Sequence, residues 1–337
     1  MYDFNKKPPK SVVFLCPTLQ FWHKNVTIPP IDKHFIILYN KIVCVRPAHP
    51  NLLNILGEEM KYSVLMSVYK NEKVEYFIEA VESLLSQTLP PDEIVLVRDG
   101  AVYEELQSTI DKYVGEYPSL FTYLPLEENG GLGAALGYGL THARNELVGR
   151  MDTDDICVPN RYETQIALFE NDPSLDLVSG NIAEFSDSVE NIQDYRVLPT
   201  THEEIVEMLK SRSPFNHQTV MFKKESVLKA GNYESFYLFE DWYLWVRMYL
   251  SGCKFANINE VLCYARTTEM HARRGGMKYY KSCKKLLKYM KQNKLIGTFK
   301  YLKISTVRFI GYVLLPNKLR ALAYKKLLRK KTNNLEK

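Results

Sequence analysis

Glu146-Leu147-Val148-Gly149-Arg150-Met151-Asp152-Thr153-Asp154-Asp155 is the stretch on which the reading of this 337-residue chain turns. Its first six residues read as a short buried strand, and three carboxylates follow at once. If the strand persists, Asp152 and Asp154 stand at i and i+2 and point to one side. Like charges that close repel, and desolvating them is costly. A divalent cation removes that cost, and hard carboxylate oxygens suit Mg²⁺ or Mn²⁺. The same residues also suit a solvated acidic turn capping a helix, since a helix is expected from Pro159. The local sequence leaves both readings open, so the surroundings must decide.

Upstream, strands are predicted over 62–69, 93–97 and 121–124, separated by helices over 74–86, 103–117 and 132–144. In the first helix Phe77, Ile78, Val81, Leu84 and Leu85 recur at helical spacing. Pro90-Pro91 ends it. Strands alternating with helices predict an α/β fold, a parallel sheet with right-handed crossovers. Ligands of such sheets bind at the carboxyl ends of the strands. Asn71, Asp99 and the Asp cluster all follow strands directly, so one crevice can hold them. Downstream, the pattern predicts helices over 159–171, 201–211, 225–230 and 238–251, and strands over 175–180, 219–222 and 261–266.

Composition narrows the class. The chain is 46% apolar and 25% charged, an ordinary globular balance. Six scattered cysteines with no CxxC pair argue against a zinc site and a disulfide framework, and suit a reducing compartment. No run of 18 uncharged apolar residues predicts a spanning helix, and no secretory signal is evident. The net charge of +5 hides an asymmetry. Residues 272–337 carry 20 Lys and Arg against the single acid Glu336, a net of +19, whereas residues 1–271 carry 24 against 38, a net of −14. Such a basic tail binds nucleic acid, anionic lipid or an anionic substrate. Residues 1–59, interrupted by seven prolines, match no fold, and Met60 opens directly on a clean strand. Met60 is therefore a candidate true start, with an N-terminal extension as the alternative.

Taken together, Met66-Ser67-Val68-Tyr69-Lys70-Asn71-Glu72, Val97-Arg98-Asp99-Gly100, Asn129-Gly130-Gly131, Arg150-Met151-Asp152-Thr153-Asp154-Asp155, Asn216-His217-Gln218-Thr219 and Phe239-Glu240-Asp241-Trp242-Tyr243-Leu244-Trp245 resemble family 2 glycosyltransferases. The resemblance is to bacterial enzymes of exopolysaccharide, capsule and lipopolysaccharide assembly, of the amylovoran type, and covers about residues 61–280. It implies a GT-A fold, a mostly parallel sheet flanked by helices, with a basic helical tail. The expected organisation is an N-terminal extension over 1–59, a catalytic domain over 60–276 and a membrane-associating region over 277–337.

The resemblance also implies roles. Ser67, Val68, Tyr69 and Glu72 hold the nucleoside of a nucleotide-diphosphate sugar, UDP-linked by expectation. Asp99 contacts the base, and Asn129 shapes the nucleotide pocket. Arg150 lies on the donor side, with Asp152 on the ribose and metal and Asp154 on the metal. Asp241, paired with Glu240, is the base of an inverting displacement, and at a helix start it is equally favoured by the dipole. Asp155 is ambiguous between a metal contact and a helix cap. His217 is read as lining the acceptor site or as structural, and Arg273-Arg274 as gripping the diphosphate or as a solvated turn. Phe239, Trp242 and Trp245 are expected to desolvate the acids and stack on sugars.

The partners expected are the donor, a lipid-linked saccharide acceptor and an anionic membrane met by the tail, on the cytoplasmic inner face of a bacterial plasma membrane. No nucleic-acid recognition module accompanies the charge. Lysines between 278 and 294, interleaved with apolar residues, suit a basic helix lying on lipid or packed with a solvated face. A dinucleotide fingerprint is rejected for Gly131-Leu132-Gly133-Ala134-Ala135-Leu136-Gly137, which is misspaced and does not follow the first strand. A nucleotidyltransferase predicts a Gly-rich loop where Tyr69-Lys70-Asn71-Glu72 stands. A non-catalytic binding protein needs neither the metal acids nor the base.

Overall fold

The computed structural model describes residues 60–267, 275–316, Leu319 and Arg329, together with the backbone of β1 (His34–Leu38) and β2 (Lys41–Val45). These two strands form an antiparallel hairpin in a unit of their own, residues 1–59. The apolar run over 34–39, unassigned from sequence, supplies its first strand. Arg273 and Arg274 lie outside the described residues.

In the second unit the chain alternates as the pattern predicts. β3 (Tyr62–Val68), α1 (Val74–Leu85), β4 (Glu93–Arg98), α2 (Glu104–Glu116), β5 (Phe121–Pro125), α3 (Leu132–His142) and β6 (Leu147–Arg150) follow in order. Then come β7 (Ile156–Cys157), α4 (Arg161–Asn171), β8 (Leu177–Phe185), β9 (Ile192–Arg196) and α5 (His202–Leu209). A 3₁₀ turn, His217–Thr219, leads to β10 (Met221–Lys223), α6 (Lys224–Lys229), α7 (Glu240–Leu250) and β11 (Phe255–Arg266). Last are α8 (Gly276–Gln292), α9 (Thr298–Phe309) and a π-helical turn, Ile310–Leu314.

The sheet runs β5-β4-β3-β6-β10-β8-β11-β7, with β9 on β8. Its first four strands are parallel. β10 is antiparallel to both β6 and β8, so the second half is mixed rather than parallel. Side chains alternate between faces along each strand. Leu65, Val95, Val97 and Val148 face a core closed by α3, α5, α7 and α8. Val64, Met66, Ile94 and Leu96 face a second core under α1, α2 and α4. The direction of winding reverses between β4 and β6 on either side of β3, which leaves a crevice at the strands' carboxyl ends.

α3 lies so close to the sheet that a Cβ on Gly139 would stand 2.6 Å from Leu65 Cδ1 and 2.7 Å from Val97 Cγ2. Gly139→Val is therefore expected to destabilise the fold by about 1–3 kcal/mol through overpacking. The check is a urea midpoint that falls at unchanged m-value.

The sequence underreads the polar strands. β8 runs on to Phe185 through Asn181, which accepts from Leu198 N at 2.9 Å and reaches Asn259 at 3.2 Å. β11 starts at Phe255 and absorbs two register shifts before its apolar end. α8 also departs from a free basic helix. Tyr279, Cys283, Leu286, Leu287 and Met290 are buried in the core with Trp245, so its apolar side is covered and its lysines stay outside.

Candidate active site

β6 stops at Arg150, and Thr153 and Asp154 form a turn, so the strand does not persist into the acids. The turn gathers them nonetheless. A carboxylate oxygen from each of Asp152, Asp154 and Asp155 lies within 4.8 Å of the others. Arg150, buried at the strand end, holds Asp152 Oδ1 through Nη2, while its Nε and Nη1 meet no partner among the described residues. Asp155 Oδ1 accepts from the backbone N of Arg266 at 2.8 Å, and Arg266 Nε donates to the Asp154 carbonyl at 3.1 Å. Asp155 is thus tied to β11, while Asp152 and Asp154 remain the more open pair. Thr153 donates to buried Glu72, whose own Oε1 accepts from Lys73 N at 3.0 Å.

The electrostatics report crowding. Burial first, then the charges of Asp152 and Glu72, push Asp154 up to about 7. Burial, then Asp154 and Asp152, hold Asp155 well above the usual carboxylate range. Burial raises Glu72 as well. Three hard oxygen donors that repel one another are a donor set a divalent cation fits.

At the carboxyl end of β4, Asp99 turns inward. Its Oδ1 accepts from Gly130 N at 2.7 Å, and its Oδ2 from Gly131 N at 3.0 Å and Asn129 Nδ2 at 2.9 Å. The carboxylate therefore shapes the Asn129-Gly130-Gly131 turn before α3. Gly100 at φ +81° passes under that turn, where a Cβ would stand 2.8 Å from Asn129 N. Ser67, Val68 and Tyr69 lie at the carboxyl end of β3, beside the turn that holds Glu72.

The other wall is α7. Glu240 and Asp241 occupy its first turn, where the helix dipole favours acids. Ser213 Oγ donates to Asp241 Oδ2 at 3.1 Å. Burial and then Asp241 push Glu240 up to about 7, and Arg150 and Asp152 both act on it. The two acid groups therefore lie within electrostatic reach of each other and of Arg150. His217 Nε2 meets Tyr233 OH at 3.0 Å, and burial followed by the Arg150 charge holds its pKa well below the usual value. A neutral, tied His217 packed against Trp245 fits the structural reading.

Phe239, Trp242 and Trp245 are buried, and Trp242 Nε1 donates to Leu209 O at 2.9 Å. They support the first turn of α7 and are closed to stacking on a sugar, contrary to the expectation from their aromatic character. Thr153, Ser213, Tyr233 and Arg266 were not singled out from sequence. Only Arg266, a cation closing an apolar strand, carried a local signal.

The family model described as glycosyl transferase family 2 matches residues 63–231. A glycosyltransferase of Haemophilus influenzae named only as uncharacterized is 41% identical over 272 residues, 80% of this chain and 100% of its own length. The amylovoran biosynthesis glycosyltransferase AmsE of Erwinia amylovora is 39% identical over 66% of this chain and 82% of its own. The UDP-Gal:alpha-D-GlcNAc-diphosphoundecaprenol beta-1,3-galactosyltransferase of Escherichia coli is 35% identical over 80% of this chain and 97% of its own. Among solved structures, S. aureus TarS 1-349 in complex with UDP-GlcNAc matches with a TM-score of 0.58 at 18% identity, over 80% of this chain and 76% of that one. The mannosyltransferase PcManGT from Pyrobaculum calidifontis, in complex with GDP-Man and Mn²⁺, matches with a TM-score of 0.53 at 17% identity, over 83% of this chain and 78% of that one.

Proposed function

The chain belongs to glycosyl transferase family 2 and carries the GT-A fold, and we propose that it moves one sugar from a nucleoside-diphosphate donor to a hydroxyl of a lipid-linked saccharide, with inversion, in bacterial surface-polysaccharide assembly. One observation carries the proposal: buried Arg150 is paired with Asp152 of the acid group suited to a cation, and its charge reaches the acid pair at a helix start.

The donor lies along the carboxyl ends of β3 and β4, its nucleoside against Ser67, Val68, Tyr69 and Glu72. Asp99 sets the Asn129–Gly131 turn on which the base rests. Asp152 and Asp154 would hold a divalent cation, Mn²⁺ or Mg²⁺. When bound it supplies positive charge beside the departing diphosphate. Arg150 aims Asp152 through their ion pair, and its Nε and Nη1, without a partner among the described residues, suit an oxygen-rich neighbour. Asp241, oriented by Ser213, takes the proton of the acceptor hydroxyl as that oxygen attacks the anomeric carbon. The bond from that carbon to the diphosphate breaks, and a single displacement inverts the configuration. A UDP-linked donor and a polyprenyl-diphosphate acceptor are supported by what the E. coli relative's name says of that protein.

The test is a screen of nucleotide sugars for binding and slow hydrolysis, with and without Mn²⁺. Metal-stimulated turnover of one donor is expected, and inertness toward every donor would sink the reading. Arg266→Ala is expected to weaken metal-stimulated donor binding about 10- to 100-fold, as loss of a residue supporting a metal site does. Calorimetric titration with the donor nucleotide and Mn²⁺ checks it.

A further inference from the structure

Among the described residues, several of the most exposed large apolar side chains share one helix and its continuation. Phe299 is 91% exposed, Leu302 53%, Val307 60%, Ile310 45% and Leu314 61%. All five lie on α9 and the π-helical turn that continues it. At 3.6 residues per turn, the first four fall within an arc of roughly 140°, together with exposed Lys303 and Thr306. The opposite side of α9 is already engaged. Ser305 Oγ meets Tyr280 OH at 3.0 Å, and the Tyr279 and Tyr312 rings stand 4.7 Å apart. Arg308 Nη2 donates to Ser211 O at 2.9 Å. A surface helix ordinarily turns its polar side outward. Scattered exposed apolar residues are commonplace, but a stripe along a whole helix marks a contact surface.

Charge beside the stripe selects the partner. Lys303 stands exposed within the stripe itself. Lys281, Lys284, Lys285, Lys288 and Lys291 stand exposed on neighbouring α8. An apolar stripe flanked by cations is complementary to anionic lipid headgroups over acyl chains. We propose that the outer face of α9 seats the protein on an anionic bilayer, with Phe299, Leu302, Val307 and Ile310 entering the interface. The lysine-rich α8 cannot insert, because its own apolar side is in the core. It supplies charge only.

The seat lies close to the acceptor half of the site. Tyr312, on the side of the helix turned away from the stripe, touches Tyr279, whose ring stands 4.6 Å from Phe239, the residue before Glu240. Docking therefore sets the acid pair behind the helix that meets the membrane, and the inference rests here on the reading of the acceptor as lipid-linked.

The test uses the full chain and flotation with vesicles of phosphatidylcholine alone or mixed with phosphatidylglycerol. Wild type is expected to float only with the anionic vesicles, and less as salt rises. The double variant Phe299→Ser/Ile310→Ser is expected to lose binding about tenfold or more, while keeping its melting temperature and donor hydrolysis. Flotation of the variant like wild type overturns the proposal, as does failure of wild type to bind. So does a wild-type dimer that the variant renders monomeric, since a second copy would then cover the stripe. Transfer to a detergent-solubilised acceptor is read separately. Flotation without transfer removes the enzymatic reading and leaves the docking face, and transfer without flotation does the reverse.

Discussion

Replacing Asp241 by Asn is expected to lower kcat by about 10²- to 10⁴-fold and to leave donor binding unchanged. The substitution keeps the shape, and Asn can still accept from Ser213 Oγ, so helix start and cleft wall stay in place. What disappears is the oxygen able to take the acceptor's proton. Glu240 cannot simply replace it. Burial is the main cause that pushes Glu240 up to about 7, and the Asp241 charge is the second. In the variant only the second cause is removed. Glu240 is raised above the ordinary value, so it stays protonated until the pH climbs through its folded pKa. The pH–rate profile of wild type is accordingly expected to carry an inflection near 7, and in Asp241→Asn that inflection shifts to lower pH. Initial-rate kinetics at several pH values, with donor binding measured apart, check both statements. A wild-type kcat in Asp241→Asn would remove the base assignment.

The first half of the fold was legible because its strands are buried on both faces and read as unbroken apolar runs. The later strands were legible only where they are apolar. Asn181 and Glu184 in β8, and Asn257 and Asn259 in β11, look like loop residues until their partners are known. The site divides in the same way. Its acids announce themselves in local sequence, but what holds them does not. Arg266 meets Asp155 across a separation of 111 residues, and Thr153 meets Glu72 across 81. Asp99 shows what position alone leaves out. It stands where a ligand contact is expected, and its oxygens also hold the Asn129-Gly130-Gly131 turn. Helical periodicity has the same limit. It found the apolar side of α8 and could not say that the core already covers it, nor that the uncovered side belongs to α9.

Asp154→Asn is expected to stabilise the metal-free protein at pH 8 and, in the same molecule, to abolish its stabilisation by Mn²⁺. Both effects follow from one charge. Asp154 is pushed from 3.8 up to about 7 by burial first and by Asp152 and Glu72 next. A carboxyl with a raised folded pKa binds its proton more tightly in the folded state. Its contribution is therefore most favourable below about 4, and is lost as pH rises through about 7. Above that range the empty cleft carries a buried charge beside like charges, and Asn relieves it. A cation held by Asp152 and Asp154 reverses the sign, because binding to the folded state alone adds stability by mass action, about 2.7 kcal/mol at a concentration 100 times its Kd. For a domain of this size that corresponds to a rise of several degrees in Tm. Wild type should then melt lower at pH 8 than at pH 5 without metal and recover with Mn²⁺. Asp154→Asn should lose less between pH 5 and pH 8 than wild type does, since Glu240 and Asp155 still titrate there, and should gain nothing from Mn²⁺. A variant whose Tm still rises with Mn²⁺ would move the cation off this pair. A variant no more stable than wild type at pH 8 would show that the three carboxylates do not strain the empty fold. On the proposed function, the destabilising charge belongs to the donor site, a cost carried by the metal-free protein because the same repulsion would favour a cation and the diphosphate arriving with it.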